Sequence, residues 1–303
     1  MMKTESHDHN MDGMIIKAIG GLYTVEASDG VYECKARGIF RKKGISPCCG
    51  DNVQISLDNS GKGIIEEILP RRSLIIRPPL ANLDILVFVS SVCEPKPNLL
   101  LLDQFIAIAV FKGITPIVVF TKIDKQDSSE IAGIYRDAGI SVYEVNNITG
   151  EGCADIKQRL VGSVSAFTGN TGVGKSSLMN RIFPDLKLAT GEISEKLGRG
   201  KHTTRHVQLY KLDQGGYIAD TPGFSTFDTN RYDIIYKDQL ADCFYEFREY
   251  EGKCRFPDCS HTKEKGCAVI EAVSQGKIAS SRHESYKTMY ENAKQLKEWE
   301  HKQ

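Results

Sequence analysis

The sequence predicts an α/β domain between an N-terminal all-β barrel and a C-terminal helical domain that binds a metal. Short β-prone runs fill the first part of the chain, apolar strands alternate with helices in the middle, and cysteines cluster with a histidine near the end. These patterns are typical of a small barrel, a doubly wound sheet and a metal-stabilised segment. We place a disordered tail at 1–13, the barrel at 14–72, the α/β domain at 73–230 and the helical domain at 231–303.

The composition limits the possible partners and the compartment. The 303 residues include 39 Lys and Arg and 39 Asp and Glu, so nucleic-acid binding must depend on local basic patches. No apolar run approaches the ~18 residues that a membrane span needs, and the polar N-terminus is unlike a signal peptide. An odd number of cysteines, nine, fits a reducing environment in which grouped cysteines bind metal. We expect a cytoplasmic monomer with no membrane partner.

The barrel prediction depends on five β-prone runs within fewer than sixty residues, a density that favours an OB-fold. The runs are Met14–Ile19, Leu22–Val25, Val31–Ala36, Asn52–Leu57 and Gly63–Ile68. A basic stretch between the third and fourth runs contains Arg37, Arg41, Lys42 and Lys43. It has two interpretations, a solvated loop or a surface that contacts a phosphate backbone.

The α/β domain begins after a linker that is predicted at 71–79. Its apolar strands are continuous, which is the pattern of a buried parallel sheet. Strands are predicted at 84–90, 115–120, 140–145 and 164–168, and helices at 99–111, 128–138 and 154–161. A hairpin is predicted from 206–212 and 216–220, and a long C-terminal helix at 281–302.

A phosphate-binding loop follows the strand at 164–168 and precedes a helix. The segment Gly169-Asn-Thr-Gly-Val-Gly-Lys-Ser176 matches the pattern G-x-x-x-x-G-K-[ST], in the strand–loop–helix context that this pattern requires. Lys175 is expected to reach the β- and γ-phosphates and to act in catalysis, while Ser176 binds Mg²⁺. The predicted phosphate contacts are Gly169, Asn170, Thr171, Gly172, Val173, Gly174, Lys175, Ser176 and Ser177.

Two further strand ends carry nucleotide-binding motifs. The strand at 216–220 ends in Asp220-Thr-Pro-Gly223, where Asp220 is expected to hold Mg²⁺ and Gly223 to contact the γ-phosphate. The strand at 115–120 is followed by Thr121-Lys-Ile-Asp124, which is similar to a guanine-recognition motif. The Asp124 carboxylate would accept from N1–H and the exocyclic amine of guanine, and adenine lacks both donors there. Lys122 would lie along the base, and Thr121 replaces the usual Asn. The nucleotide is therefore GTP, with GDP as the product.

The order of these motifs is unusual, because the guanine motif precedes the phosphate loop. A chain can be permuted in this way when its termini lie near one another. The predicted fold class is therefore a circularly permuted P-loop GTPase domain, flanked by an OB-fold barrel and a helical zinc-binding domain.

The segment Gly198-Arg-Gly-Lys-His-Thr-Thr-Arg205 is interpreted as the first switch loop or as a disordered tether. Thr204 is expected to complete the Mg²⁺ shell, with Thr203 as the alternative. Phe224 stands where many GTPases have the Gln that orients the attacking water, and phenylalanine cannot do this. The remaining candidates are His202 and a group from a partner.

The C-terminal domain contains Cys254, Cys259, His261 and Cys267 within fourteen residues. Three thiolates and an imidazole suit one tetrahedral Zn²⁺, and four protein ligands leave no open position, so we predict a structural site. The other cysteines have no such grouping and are interpreted as ordinary thiols.

The barrel, the permuted motifs and the zinc ligands together resemble the RsgA family (also called YjeQ or YloQ), over nearly the whole chain from residue 14. The resemblance implies a late assembly factor of the 30S ribosomal subunit that binds the subunit and its 16S rRNA. It also implies that GTP hydrolysis is slow alone, is faster on the ribosome and precedes release. Asn146-Asn147 departs from the usual Ser-Ala, from which we expect a weaker hold on the base. Two alternatives remain: a GTP-gated RNA-binding adaptor, and a GTPase for tRNA modification or metal insertion.

Overall fold

The computed structural model describes residues 10–58, 60–184, 207–220 and 234–296. The described residues form two compact units. The first holds 10–84, 161–166 and 207–220, and the second holds 85–160, 167–184 and 234–296. These units group the chain differently from the three predicted domains, which stay a prediction.

The first unit contains a closed five-stranded barrel. Its strands are β1 (Met11–Ile19), β2 (Leu22–Ala27), β3 (Gly30–Ala36), β4 (Asn52–Leu57) and β5 (Gly63–Ile68). They are hydrogen-bonded in the order β1-β2-β3-β5-β4, and β4 returns to pair with β1. This closed order, with β3 parallel to β5, is that of an OB-type barrel. Its interior is apolar and almost fully buried: Ile15, Val25, Cys34, Val53, Ile55 and Ile65.

The first strand starts earlier than predicted. Met11, Asp12 and Gly13 belong to β1 rather than to a disordered tail, because they pair with Ile55, Gln54 and Val53 of β4 and close the barrel. Asp12 and Gly13 have low strand propensity, so the sequence alone did not indicate this pairing. The predicted tail residues 1–9 lie outside the described part of the chain.

The basic stretch after β3 forms a short helix instead of a loop. Helix α1 (Gly38–Lys42) buries Phe40 against the barrel and leaves Arg41 and Lys42 in its exposed last turn. The single aromatic residue of the stretch therefore packs inward.

The predicted linker is a packed element. Strands β6 (Leu74–Ile75) and β7 (Leu80–Ala81) form a small antiparallel pair, and Ile75 and Leu80 are buried. Arg71 makes a two-pronged ion pair with the buried carboxylate of Asp51, at 2.6 and 2.8 Å. This stretch was predicted as a linker, but Arg71 neutralises a buried acid.

Two more strands extend the barrel sheet. Strands β12 (Gln208–Lys211) and β13 (Tyr217–Asp220) form the predicted hairpin, and β12 pairs with β1. Tyr217 donates to Glu26 of β2 at 3.0 Å, which reinforces this pairing. The strand that leads into the phosphate loop, β11 (Val164–Thr168), pairs in parallel with β13.

The second unit has a parallel sheet of β10 (Ser141–Val145), β9 (Thr115–Thr121) and β8 (Ile85–Ser91). Its core strands are continuous apolar runs, as predicted, because both faces are covered. Its α/β helices are α2 (Leu99–Phe111), α3 (Ser129–Asp137), α4 (Cys153–Leu160) and α5 (Lys175–Ile182). Asn98 caps α2 by accepting from the Leu101 N–H, which fixes the predicted start of that helix.

The C-terminal part of the second unit packs on α2. It has two 3₁₀ segments (Ala241–Cys243 and Tyr245–Tyr250) and helices α6 (Ala268–Ser274) and α7 (Ser280–Lys294). Ala107 and Ile108 of α2 share one hydrophobic cluster with Phe244, Phe247 and Tyr286. Helix α7 ends at Lys294, and the last part of the predicted helix at 297–302 falls outside the described residues. None of the described helices is both long enough and apolar enough to cross a membrane.

Candidate functional site: a nucleotide site and a metal centre

The phosphate loop has the backbone that a phosphate cradle needs. Gly169, Gly172 and Gly174 have φ angles of 149°, 82° and 90°. A Cβ atom on Gly169 would lie 2.2 Å from the carbonyl oxygen of Val89, so only glycine fits there. Helix α5 begins at Lys175, directly after this turn, and directs its N-terminus toward the loop. Lys175 and Ser176 are half-buried, and Asn170, Thr171 and Ser177 are exposed.

Thr121 of the guanine motif supports the phosphate loop directly. Its buried hydroxyl donates to the carbonyl oxygen of Val173, and its Cβ is 3.8 Å from where a Cβ on Gly174 would lie. The sequence suggested a base contact for this residue. Among the described atoms, the Thr121 hydroxyl contacts the backbone of the phosphate loop and of β8, where Ser90 O lies 3.3 Å away.

The other two residues of the guanine motif lie at the surface next to Thr121. Lys122 has a φ of 61°, and its ammonium group donates to the carbonyl oxygen of Glu94. Left-handed backbone at a non-glycine residue is uncommon and clusters at functional sites. Asp124 is exposed, and its carboxylate has no hydrogen bond or ion pair within the described ranges. The carboxylate is therefore accessible to a ligand.

Asn146 and Asn147 form the loop after β10, which the sequence assigned to a second base contact. The Asn146 side chain accepts from the N–H groups of Ile148 and Thr149 and shapes the turn. The Asn147 side chain donates to the carbonyl oxygen of Gly174 at 3.1 Å. The sequence did not indicate this contact, because it joins residues that are 27 positions apart.

Several predicted site residues cannot be placed. His202, Thr203, Thr204, Gly223 and Phe224 lie outside the described part of the chain. Asp220 is the last residue of β13, and its side chain lies outside the described part of the chain. The switch loop and the γ-phosphate sensor therefore stay predictions.

The four candidate metal ligands converge. The Sγ atoms of Cys254, Cys259 and Cys267 and a ring nitrogen of His261 lie within 4.8 Å of one another. The Ala268 N–H, at the start of α6, donates to Cys254 Sγ at 3.3 Å and so helps to orient this sulfur. The prediction that these residues form one cluster is confirmed.

The turn that carries His261 is held by a carboxylate. Glu264 accepts from the N–H groups of Ser260, Thr262 and Lys263, and from the Ser260 hydroxyl. His261 itself has a φ of 55°, so this turn needs such support. Tyr286 of α7 donates to Ser260 O at 2.9 Å and ties the turn to the helix.

The thiols of Cys34, Cys49 and Cys243, which lie outside the metal cluster, are buried. Burial raises the pKa of Cys34 to about 11 and the pKa values of Cys49 and Cys243 to about 12. A thiol with such a pKa is neutral at pH 7 and a poor nucleophile or ligand.

One of the four basic residues predicted to contact phosphate has an acidic partner. Arg37 forms an ion pair with Glu66 at 2.6 Å, while Arg41, Lys42 and Lys43 are exposed. The net positive charge of the stretch therefore lies on α1 and Lys43.

Comparisons with known proteins cover almost all of the chain. The family model of the RsgA GTPase matches residues 68–230, and that of the RsgA N-terminal domain matches residues 12–65. The small ribosomal subunit biogenesis GTPase RsgA of Caldanaerobacter subterraneus is 42% identical over 94% of this chain and 96% of the relative. The protein of the same name in Geobacillus kaustophilus is also 42% identical, over 94% of this chain and 98% of the relative.

Two solved structures have the same architecture. YjeQ from Thermotoga maritima superimposes with a TM-score of 0.80 at 32% identity, over 95% of this chain and 100% of that chain. YloQ, described as a circularly permuted GTPase, has a TM-score of 0.78 at 34% identity, over 97% and 99% of the two chains.

Proposed function

Since the chain belongs to the RsgA family of GTPases, we propose that it hydrolyses GTP to GDP and phosphate and acts in the assembly of the small ribosomal subunit. Its fold class is the one predicted: a circularly permuted GTPase domain with an OB-like barrel and a C-terminal Cys/His cluster. The observation that best supports the nucleotide site is the contact of Thr121 with Val173 O. It joins the guanine motif to the phosphate loop although the two are 52 residues apart.

The nucleotide roles follow from the chemistry of each group. Asp124 accepts hydrogen bonds from the guanine edge, and the N–H groups of the glycine-rich loop surround the phosphates. Lys175 neutralises charge on the β- and γ-phosphates. Ser176 is the Mg²⁺ ligand at the start of α5, and Asp220 and Thr204 are proposed to complete that shell. When bound, Mg²⁺ supplies positive charge at the phosphate oxygens, where negative charge develops during transfer.

The group that orients the attacking water is proposed to be His202 or a residue of the partner. Phe224 cannot accept or donate a hydrogen bond, so the usual glutamine mechanism is closed to this chain. Intrinsic turnover should therefore be slow and should rise when a partner supplies or positions this group.

The Cys/His cluster is proposed to hold one structural Zn²⁺. Three sulfur ligands and one nitrogen ligand suit zinc, and a spread of at most 4.8 Å among the four ligand atoms fits a shared tetrahedral ion. The surrounding turn has few buried apolar side chains of its own, so metal binding would contribute directly to its folding.

Native mass spectrometry should show one Zn²⁺ per chain in protein purified without chelator. Cys259→Ser should lower the zinc content and the stability of the C-terminal domain, while Cys93→Ser, at a half-buried cysteine outside the cluster, should change neither. A metal-free protein of unchanged stability, or a Cys254–Cys259 disulfide under reducing conditions, would refute the zinc site.

The proposed partner is the 30S subunit with its 16S rRNA. The relatives at 42% identity are named small ribosomal subunit biogenesis GTPases, and the barrel carries the exposed cations Arg41, Lys42 and Lys43. Cations on an OB-type barrel are suited to phosphate contacts, which are salt-dependent.

The test of this function is GTP turnover with and without purified 30S subunits. We expect 30S subunits to stimulate turnover and 50S subunits not to. Replacing Arg41, Lys42 and Lys43 with Gln should weaken 30S binding in a salt-dependent way and spare intrinsic turnover, while Lys157→Gln on α4 should affect neither. Salt-dependent 30S binding without stimulation would favour a GTP-gated RNA-binding adaptor. No 30S binding at all would favour a role in tRNA modification or metal insertion.

A further inference from the structure

The loop that follows β10 leaves one backbone donor for a ligand. The N–H groups of Asn146, Ile148, Thr149 and Gly150 all donate within the loop. The Asn147 N–H donates to no group in the portion of the chain that the structure describes. A backbone N–H without a partner can donate to a ligand oxygen such as O6 of guanine, and among residues 146–150 the described structure leaves this donor at Asn147.

The side chain of the same residue anchors the loop to the phosphate loop. Asn147 Nδ2 donates to Gly174 O at 3.1 Å, and this fixes the orientation of the amide because a carbonyl can only accept. A Cβ on Gly174 would lie only 2.8 Å from Nδ2, so glycine at position 174 makes room for the contact. The other amide atom, Oδ1, is buried and has no hydrogen-bond partner within the described residues, so the bond to Gly174 O is the described hydrogen bond of this side chain.

A second contact anchors the far end of the loop. Arg181 of helix α5 donates to the carbonyl oxygen of Thr149 at 2.6 Å. Gly150 has a φ of 89°, and a Cβ there would lie 2.7 Å from the guanidinium group. Glycine at position 150 therefore leaves room for the guanidinium group of Arg181. Helix α5, which begins at the phosphate loop, thus also contacts the loop 146–150.

We propose that Asn147 and Arg181 are positioning residues for guanine recognition, which hold the loop 146–150 so that the Asn147 N–H meets O6. This inference rests on the proposed GTPase function and adds the two contacts that position the loop 146–150. It reverses the expectation that Asn147 weakens the hold on the base relative to the usual alanine. The asparagine side chain adds an anchor to Gly174 O that alanine cannot make.

The test compares two nucleotides that differ only at the proposed acceptor. GDP and 6-thioguanosine 5′-diphosphate share N1–H and the exocyclic amine, but sulfur replaces O6 and is a much weaker acceptor. Wild-type protein should bind GDP about tenfold more tightly than the thio analogue, as one hydrogen bond of ordinary strength implies. Asn147→Ala should lower the affinity for GDP about fivefold and change the affinity for the analogue by less than about twofold.

Arg181 provides a variant at the surface that does not disturb the core. Arg181→Met should reproduce the selective loss for GDP, and Arg181→Lys, which keeps a donor for Thr149 O, should restore most of the affinity. Thermal unfolding of each variant without nucleotide establishes that the protein is folded.

The possible results distinguish a failure of the positioning roles of Asn147 and Arg181 from a failure of the proposed GTPase function. Equal losses for both nucleotides would mean that the contacts merely stabilise the phosphate loop, and unchanged GDP affinity in both variants would mean that they position nothing. Either result overturns the inference but leaves a GTPase. A wild-type protein that binds neither nucleotide would overturn the proposed function itself.

Discussion

Lys175→Ala is expected to reduce GTP hydrolysis by at least about 100-fold, the loss typical of removing one preorganised charge-stabilising group. Phosphoryl transfer depends almost entirely on positioning and charge stabilisation, and Lys175 begins the helix that follows the phosphate loop. The measurement is phosphate release at saturating GTP and Mg²⁺, with and without 30S subunits.

Two further variants complete this experiment. Ser176→Ala should lower the rate in a way that a higher Mg²⁺ concentration partly offsets, because the serine is proposed to bind the metal. Lys157→Ala, at an exposed lysine of α4, should leave the rate unchanged. Turnover of the Lys175 variant within a few-fold of wild type would mean that another site carries out the chemistry.

Arg282→Met is expected to destabilise the second unit by about 3–5 kcal/mol, the typical cost of removing one partner of a buried ion pair. Arg282 is 1% exposed and contacts Asp103 at 2.6 Å and Glu246 at 2.7 Å. Burial by itself would lower the pKa of Arg282, but the two carboxylates outweigh burial, so its pKa is raised and it stays charged. Without it, two carboxylates face each other in a nearly dry environment.

Urea unfolding, followed by far-UV circular dichroism, measures this loss in the free energy of unfolding. Lys287→Met is the matched control, because Lys287 lies on the same helix and pairs with Glu284 at the surface, where such a pair contributes little. The triple variant Arg282→Met, Asp103→Leu, Glu246→Met should recover much of the lost stability, since it removes the unpaired charges together. A loss below about 1 kcal/mol for Arg282→Met alone would show that the carboxylates are solvated after all.

The local parts of the fold could be predicted from the sequence. The apolar runs of β8 and β9 and the capped helix α2 lie where their patterns indicate, because burial on both faces and a capping Asn leave signals within a few residues. The missed features depend on distant partners. Residues 11–13 join β1 by pairing with β4, the pair β6–β7 includes part of a stretch predicted as a linker, and Arg282 contacts Asp103, which is 179 positions away.

The candidate site divides in the same way. Cys254, Cys259, His261 and Cys267 could be assigned because their chemistry is evident from type and spacing. The roles of Thr121 and Asn147 could not be assigned, because each depends on the carbonyl oxygen that its side chain meets. Thr121 and Asn147 differ from the usual residues of the guanine motifs, and each makes a hydrogen bond to the backbone of the phosphate loop. These substitutions are therefore compatible with a nucleotide site.

The permuted order of motifs is proposed to form a guanine-nucleotide site, and the nucleotide preference of Asp124→Asn tests this. Wild-type protein should bind GTP in preference to ATP and xanthosine triphosphate. The variant should lose GTP affinity by about 1–3 kcal/mol, because an amide mismatches one of the two guanine donors, and should gain affinity for xanthosine triphosphate, whose oxygen can accept from the new amide. An Asp124→Asn protein that keeps the wild-type preference for GTP over both other nucleotides would contradict the assignment.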